Sequence, residues 1–269
     1  AGRAIVQLMI ANVKKHGFTL HGFKYLADGI RASGDPWTTL FNSVYNGVCH
    51  LFGYTKLANK SIDEAFAEIL MEVAGDDNAM VHIPGNRYDW VSFFLRLGMK
   101  SEATYKSSLY DLEFCSMRLY PTTDGPLWGP KPGKVLAKFG YIVNPPVGVS
   151  RFSLMRGIAL GLKKQVSFIP ILRDVVERVL QLTEGHEAYY LRLREEHKLK
   201  VTSWAYPTDD TYYHMWRNYG LSHTELETLR EEISKLKFDD MLDHPYFRVL
   251  FDRDTAGPKD IFLNSFSSF

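Results

Sequence analysis

The chain has 269 residues, 45 % of them apolar, which excludes a disordered protein and is enough to bury one large core or two small ones. Lys and Arg number 32 against 31 Asp and Glu, a net charge of +1, so any nucleic-acid surface must come from local clustering rather than bulk basicity. No apolar run approaches the roughly 20 residues of a bilayer-spanning helix, and Cys49 and Cys115, without metal-ligand spacing or a signal peptide, fit a reducing compartment with no disulfide.

Ala4 to Lys15 places Ile5, Leu8, Met9 and Val13 at helical spacing and closes on Lys14, Lys15 and Gly17, which predicts an amphipathic helix with cations at its C-terminal dipole. Position 1 is not Met, and a chain opening directly on a helix is expected to be a fragment of something longer. Ser33-Gly34-Asp35-Pro36 predicts a turn with Pro set to start a helix. Trp37, Leu40, Phe41, Val44, Val48, Leu51 and Phe52 then mark one apolar helical face. Thr38, Asn42 and Tyr45 lie on a neighbouring stripe that Ser33 can join, a pattern that also describes a capped core helix with a polar flank. Ser61 and Glu64 predict a capping box for a short helix, Ile62 to Glu68.

Two apolar runs follow, Ile69 to Ala74 and Ala79 to Ile83, too short for helices and separated by Gly75-Asp76-Asp77-Asn78. They predict a β-hairpin with two carboxylates at its tip. A tight turn lets adjacent Asp side chains approach one cation, and hard divalent metals take such oxygens. An ordinary solvated hairpin turn contains the same residues.

Ser33-Gly34-x-x-x-Thr38-x-x-x-Asn42 followed by a hairpin bearing Gly75-Asp76-Asp77 resembles, in order and spacing, motifs B and C of the RNA-dependent RNA polymerases of positive-strand RNA viruses. Phe114-Cys115-Ser116, followed by Gly129-Pro130-Lys131-Pro132-Gly133, is most similar to the nodavirus and tombusvirus-like branch. The resemblance implies an α+β fold, with a partial right-hand palm at 1–128, its hairpin packed on helices, and a mostly helical thumb at 129–269. It implies template-directed nucleotidyl transfer by a two-metal-ion mechanism, with Mg²⁺ or Mn²⁺ held by Asp76 and Asp77, and with template RNA, product RNA and nucleoside triphosphates as partners. Ser33, Gly34, Thr38 and Asn42 would form the ribose-selecting element, because telling RNA from DNA takes buried polar groups that stay unpaired when the 2′-OH is missing. Asn42 is the implied reader, and Gly34 gives the loop freedom to move.

The family's motif A, an Asp-x-x-x-x-Asp, has no counterpart among residues 1–31, where Asp28 stands alone. The chain is therefore expected to start just after motif A, to need that N-terminal region and the fingers as partners, and to be inactive alone. By the same resemblance it would work in the host cytoplasm, in a membrane-associated replication complex anchored through regions outside this chain.

Asn86 to Leu97 predicts a helix ending at Gly98, after which Lys100 resembles the motif D lysine that protonates leaving pyrophosphate; a lysine there is also good helix-end chemistry. Asp111 to Tyr120 predicts one strand, within which Phe114, Cys115 and Ser116 resemble the motif E primer grip, or a buried strand with an inert thiol. Lys131, Lys134 and Lys138 can meet product-duplex phosphates or simply stand in solvent. Helices are then predicted at Arg151 to Lys164, capped by Ser150, at Ile169 to Thr183, Glu187 to Lys198, and Thr208 to Tyr219, and after a second capping box at Ser222 and Glu225; Met241 to Phe251 reads as interrupted by Pro245. The histidines of this half have no metal-ligand spacing. A non-catalytic polymerase descendant binding RNA or protein would share this fold, and the intact Gly75-Asp76-Asp77 favours the catalytic reading. A reverse transcriptase shares the paired aspartates, and the Ser-Gly-x-x-x-Thr-x-x-x-Asn element argues against it.

Overall fold

The structure, a computed structural model, describes residues 3, 6, 7, 10, 13–29, 37–82, 86–190 and 204–255. The fold is mixed α and β, with antiparallel sheets of two, two and three strands among the described residues. The chain divides into two compact units, 1–105 and 106–269, so residues 106–128 fold with the second. No helix among the described residues is long and apolar enough to cross a membrane.

In the first unit, Arg3, Val6, Gln7 and Ile10 are helical, but Lys14 and Lys15 leave the predicted helix and open a hairpin of β1 (Lys14–Phe18) and β2 (Lys24–Asp28). Gly17, read as a helix stop, sits inside β1 opposite Tyr25, and the aromatic residues Phe18, Phe23 and Tyr25 favour extended backbone there. Helix α1 (Thr38–Leu57) follows, then α2 (Ile62–Glu68), whose predicted capping box is present in full: Ser61 Oγ accepts from the Glu64 N–H while the Glu64 carboxylate accepts from the Ser61 N–H. Strands β3 (Ile69–Ala74) and β4 (Asp77–His82) form the predicted hairpin. Helix α3 (Trp90–Arg96) starts later than predicted, because Asp89 caps it by accepting from the Ser92 N–H at 3.0 Å.

The core of this unit is Cys49, Tyr54, Ala65, Trp90, Phe93 and Phe94. The apolar stripe expected to bury α1 is the one left out: Leu40, Val44, Val48 and Phe52 are exposed. The hairpin instead takes the neighbouring stripe, polar at Asn42, Ser43 and Asn46 and then apolar at Cys49 and Tyr54. The reason is chemical. A turn presents backbone N–H and C=O groups that need partners when covered, so the turn end of the hairpin selects the polar part of α1 and its sheet end the apolar part. At the sheet end the Tyr54 hydroxyl donates to Glu68 at 2.7 Å, and Lys60 donates to the other Glu68 oxygen at 2.8 Å. Burial and the Glu68 carboxylate together raise the Tyr54 hydroxyl far above its ordinary pKa.

The second unit opens with one 3₁₀ turn, Leu109–Asp111, and a three-stranded antiparallel sheet of β5 (Glu113–Phe114), β6 (Met117–Thr122) and β7 (Gly125–Pro130) in that spatial order. The single predicted strand Asp111 to Tyr120 is thus a hairpin, broken by a turn at Cys115 and Ser116. Helices α4 (Pro132–Leu136), α5 (Arg151–Leu162), α6 (Leu172–Leu182), α7 (Asp209–Tyr219), α8 (His223–Lys235) and α9 (Pro245–Thr255) complete it. Pro245 does not interrupt α9; it occupies the first helical position, where its missing N–H costs nothing. The predicted helix Glu187 to Lys198 lies largely outside the described residues, and its described part, 187–190, is not helical.

Tyr120 of β6 is fully buried among Phe168, Ile169, Leu172, Val176, Met215, Leu229 and Leu250. Helices α4 and α9 touch backbone to backbone at Gly133, where a Cβ would stand 2.1 Å from the Leu250 carbonyl oxygen. Only glycine fits, and its N–H donates to Asp254 at 2.7 Å.

Candidate functional site

The hairpin of the first unit pairs Ala74 with Asp77, so the turn is two residues, Gly75-Asp76, rather than the four that the sequence suggests. Gly75 takes φ 65° while Asp76 does not share a positive φ, the glycine-first arrangement of a type II′ turn that matches strand twist. Asp76 therefore sits at the apex, and Asp77 begins β4 on the face it shares with Glu72 and Ala74. Both carboxylates are exposed, and neither makes a hydrogen bond or ion pair with another described residue.

Two α1 side chains that the sequence reading passed over hold this turn. Ser43 Oγ accepts from the Gly75 N–H at 2.8 Å and donates to the Thr39 carbonyl at 2.7 Å. Asn46 Nδ2 donates to the Gly75 carbonyl at 3.1 Å and to the Asp77 carbonyl at 3.4 Å. Two acceptors fix which end of the amide faces the turn. Asn46 Oδ1 and Asn78 Nδ2 remain buried without a hydrogen-bond partner among the described residues. One turn further along α1, His50 Nδ1–H donates to the Asn46 carbonyl, 3.0 Å away, and the ring packs on Phe94; burial lowers its pKa below the ordinary histidine value. The signal that could have found Ser43 and Asn46 is their spacing: both lie on the Asn42 side of the helix, three apart.

Of the residues expected to select ribose, Thr38 and Asn42 are half-buried on α1, and Ser33 and Gly34 lie outside the described residues. Lys100 is exposed beyond the Leu97-Gly98 turn that ends α3, with no hydrogen bond or ion pair to the two aspartates. Asp76 and Asp77 supply hard carboxylate oxygens, the donor type that Mg²⁺ and Mn²⁺ take, and Mg²⁺ commonly binds through one or two carboxylates plus substrate phosphates. The pair fits such an ion in chemistry; no third His, Cys, Asp or Glu joins it among the described residues.

In the second unit, Cys115 and Ser116 form the β5–β6 turn with φ 49° and 61°. That is the type I′ pattern, which ordinarily calls for Asn-Gly, so two side-chain-bearing residues are held in a costly conformation. Lys134 Nζ donates to Ser116 Oγ at 3.4 Å, which brings two of the candidate RNA contacts together, and Lys138 is exposed. Lys131 departs from the phosphate-binding role expected of it. It is buried, its ammonium bonded to Glu113, whose other oxygen meets Arg118 at 3.0 Å. Arg118 in turn reaches Asn218 and Asp254, and the Tyr219 hydroxyl donates to Asp254 at 3.0 Å. Glu113 is held below its usual pKa by Lys131 and Arg118 against the effect of burial, whereas burial raises Asp254 above the usual carboxylate range. Neither cysteine forms a disulfide. No protein-family model matches the chain, and no curated protein matches it.

Proposed function

We propose that the chain is part of the catalytic region of an RNA-directed RNA polymerase of a positive-strand RNA virus, the first unit being palm and most of the second thumb. The observation that carries this reading is the hairpin tip: two adjacent, exposed carboxylates without an ion pair among the described residues, on a turn gripped at its N–H and C=O groups by one helix. A functional carboxylate pair needs such a scaffold, because its placement has to be held by surrounding hydrogen bonds.

In this reading Asp76 and Asp77 would hold Mg²⁺ or Mn²⁺, which when bound neutralises triphosphate charge and activates the attacking oxygen. Ser43 and Asn46 fix the turn so that the carboxylates need no rearrangement. Asn42, with Thr38 beside it on α1, hydrogen-bonds the ribose 2′-OH and rejects deoxyribose by leaving those groups unpaired. Lys100 carries a proton to the departing pyrophosphate. Ser116 with Lys134, and Cys115 beside them, contact the sugar-phosphate backbone of a strand. No Asp-x-x-x-x-Asp stands ahead of the α1 element, and Asp76 and Asp77 are the carboxylates this reading assigns to the metal.

The test is Mg²⁺- or Mn²⁺-dependent RNA synthesis on a homopolymer template by the parent protein, by its Asp76→Ala variant and by this chain alone. Synthesis by the parent only is the expected result. An Asp76→Ala variant as active as the parent, or a parent inactive with every metal and template, overturns the reading in favour of a non-catalytic binding module.

A further inference from the structure

The second unit contains a cavity of about 280 Å³ that none of the candidate site residues above lines. Val176 of α6 lines it with the aromatic residues Trp204 and Tyr206, and Lys163 and Arg173 stand there against one carboxylate among the described residues, Glu177. Exposure alternates along 204–206, Trp204 and Tyr206 being exposed and Ala205 buried between them, ahead of an isolated antiparallel bridge from Pro207 to Thr122. That segment is pinned on both sides. The buried Ser167 hydroxyl donates to the Ala205 carbonyl at 2.8 Å. Across from it, the Thr123 N–H donates to the Tyr206 carbonyl and the Tyr206 N–H to Thr123 Oγ1, both at 3.1 Å. The two rings are therefore held in place although both remain exposed.

Among the described residues, Arg173 is only loosely engaged. The Arg173 guanidinium touches Asp174 and Glu177 only at 3.6 and 4.0 Å, and its Nε is buried with no hydrogen-bond partner. Asp174 is already engaged by Arg230 at 3.2 Å and by the Ile171 N–H at 3.1 Å. The ammonium groups of Lys163 and Lys164 stand 5.5 and 5.6 Å from the centre of the Trp204 ring. Lysine tips on flexible stems can swing to an incoming anion while the indole stays where the backbone holds it. A π surface, an apolar side chain and a guanidinium whose Nε has no hydrogen-bond partner among the described residues are parts that recognise an aromatic base carrying a phosphate.

We infer that this cavity binds one nucleotide unit, its base against Trp204 and Tyr206 and its phosphate on Lys163 and Arg173. The Glu177 carboxylate repels phosphate from its own end and accepts from a base amino group, which sets the orientation. Two sources offer this chemistry, a free nucleoside phosphate and one position of a single-stranded RNA. The assignment stands on these residues alone and does not depend on the polymerase reading.

The test uses the 269-residue chain with two probes, a fluorescent nucleoside triphosphate and a short single-stranded RNA bearing 5-iodouracil, at low and moderate salt. Trp204→Leu is expected to weaken binding at least about fivefold, the low end of what a base-stacking aromatic contributes. Arg173→Gln should weaken it and flatten the salt dependence by about one unit of log–log slope. Irradiation should cross-link the RNA at Trp204 or Tyr206. Binding of both probes identifies a free nucleotide as sufficient, and binding of RNA alone identifies a strand. Cross-links that map elsewhere, affinities indifferent to Trp204→Leu and Arg173→Gln with the fold intact by circular dichroism, or equal binding of a polyglutamate peptide would each overturn the inference.

Discussion

Replacing Asn46 tests the scaffold beneath the paired aspartates, and the revealing comparison is between truncation and isostere. Asn46→Ala removes two hydrogen bonds to the Gly75 and Asp77 carbonyls, about 0.5–1.5 kcal/mol each. It also removes Oδ1, a buried acceptor without a partner, whose relief returns on the order of 1 kcal/mol. The net cost is about 1 kcal/mol, or roughly fivefold in a local opening equilibrium. Asn46→Asp keeps the shape but turns an acceptor-only carboxylate toward two carbonyl oxygens, beside Asp77. Neither carbonyl is then satisfied and a charge is partly buried, a cost of about 3 kcal/mol or more. The assay is amide hydrogen exchange of residues 75–80 by mass spectrometry. Exchange should quicken about fivefold in Asn46→Ala and more than a hundredfold in Asn46→Asp, with acid partly rescuing the latter as the carboxyl gains a proton to donate. Equal exchange in Asn46→Asp and wild type, or a slower rate than in Asn46→Ala, would refute the clamp.

Asp76→Asn should leave the thermal midpoint of the chain unchanged within about 0.5 kcal/mol, because the carboxylate is exposed and unpartnered, while abolishing metal-dependent synthesis in the parent protein. A large loss of stability would mean that the carboxylate is structural. The two lysines ahead of and within α4 should separate cleanly. Lys131→Gln takes the charge from a buried lysine whose partner Glu113 is exposed and keeps Arg118, and should cost about 1–2 kcal/mol in urea unfolding, whereas Lys134→Gln should leave stability intact and weaken RNA binding. His214, buried between Tyr120 and Tyr110, has its pKa lowered to about 4 from the ordinary 6.5, chiefly by burial and then by the Arg118 charge. Between those values the unfolded chain binds a proton that the folded chain refuses, so stability is lost as pH falls through this window. At pH 5 the loss relative to pH 7 should be about 2 kcal/mol, and His214→Gln should remove it; a variant with the wild-type profile would place the effect elsewhere.

What could be read from the sequence is what is set within a few residues. The Ser61–Glu64 and Ser222–Glu225 boxes are present as predicted, and α7 ends at Gly220 in the left-handed conformation, because caps are closed by their own neighbours. The hairpin of β3 and β4 was legible in its apolar runs, and the length of its turn was not, since Asp77 and Asn78 pair as strand residues despite their turn preference. The Cys115–Ser116 turn escaped notice because its positive φ values fall on residues that seldom adopt them. Which stripe of α1 is covered depends on a turn that lies 29 residues away from Asn46, and apolar periodicity carries no information about that partner. Lys131 misled for the same reason: its burial is decided by Glu113, 18 residues upstream.

Helix α9 contributes Asp254, at which the Gly133 N–H, the Tyr219 hydroxyl and Arg118 converge from three other elements. The earliest of these partners precedes it by more than a hundred residues. During synthesis β6, α4 and α7 therefore leave the ribosome with donors that have no shared acceptor, and this end of the unit cannot close until α9 follows. Helices joined by local caps can form as they emerge, but the Asp254 junction makes completion of the second unit wait for α9. Helix α9 acts as a latch on β6, α4 and α7.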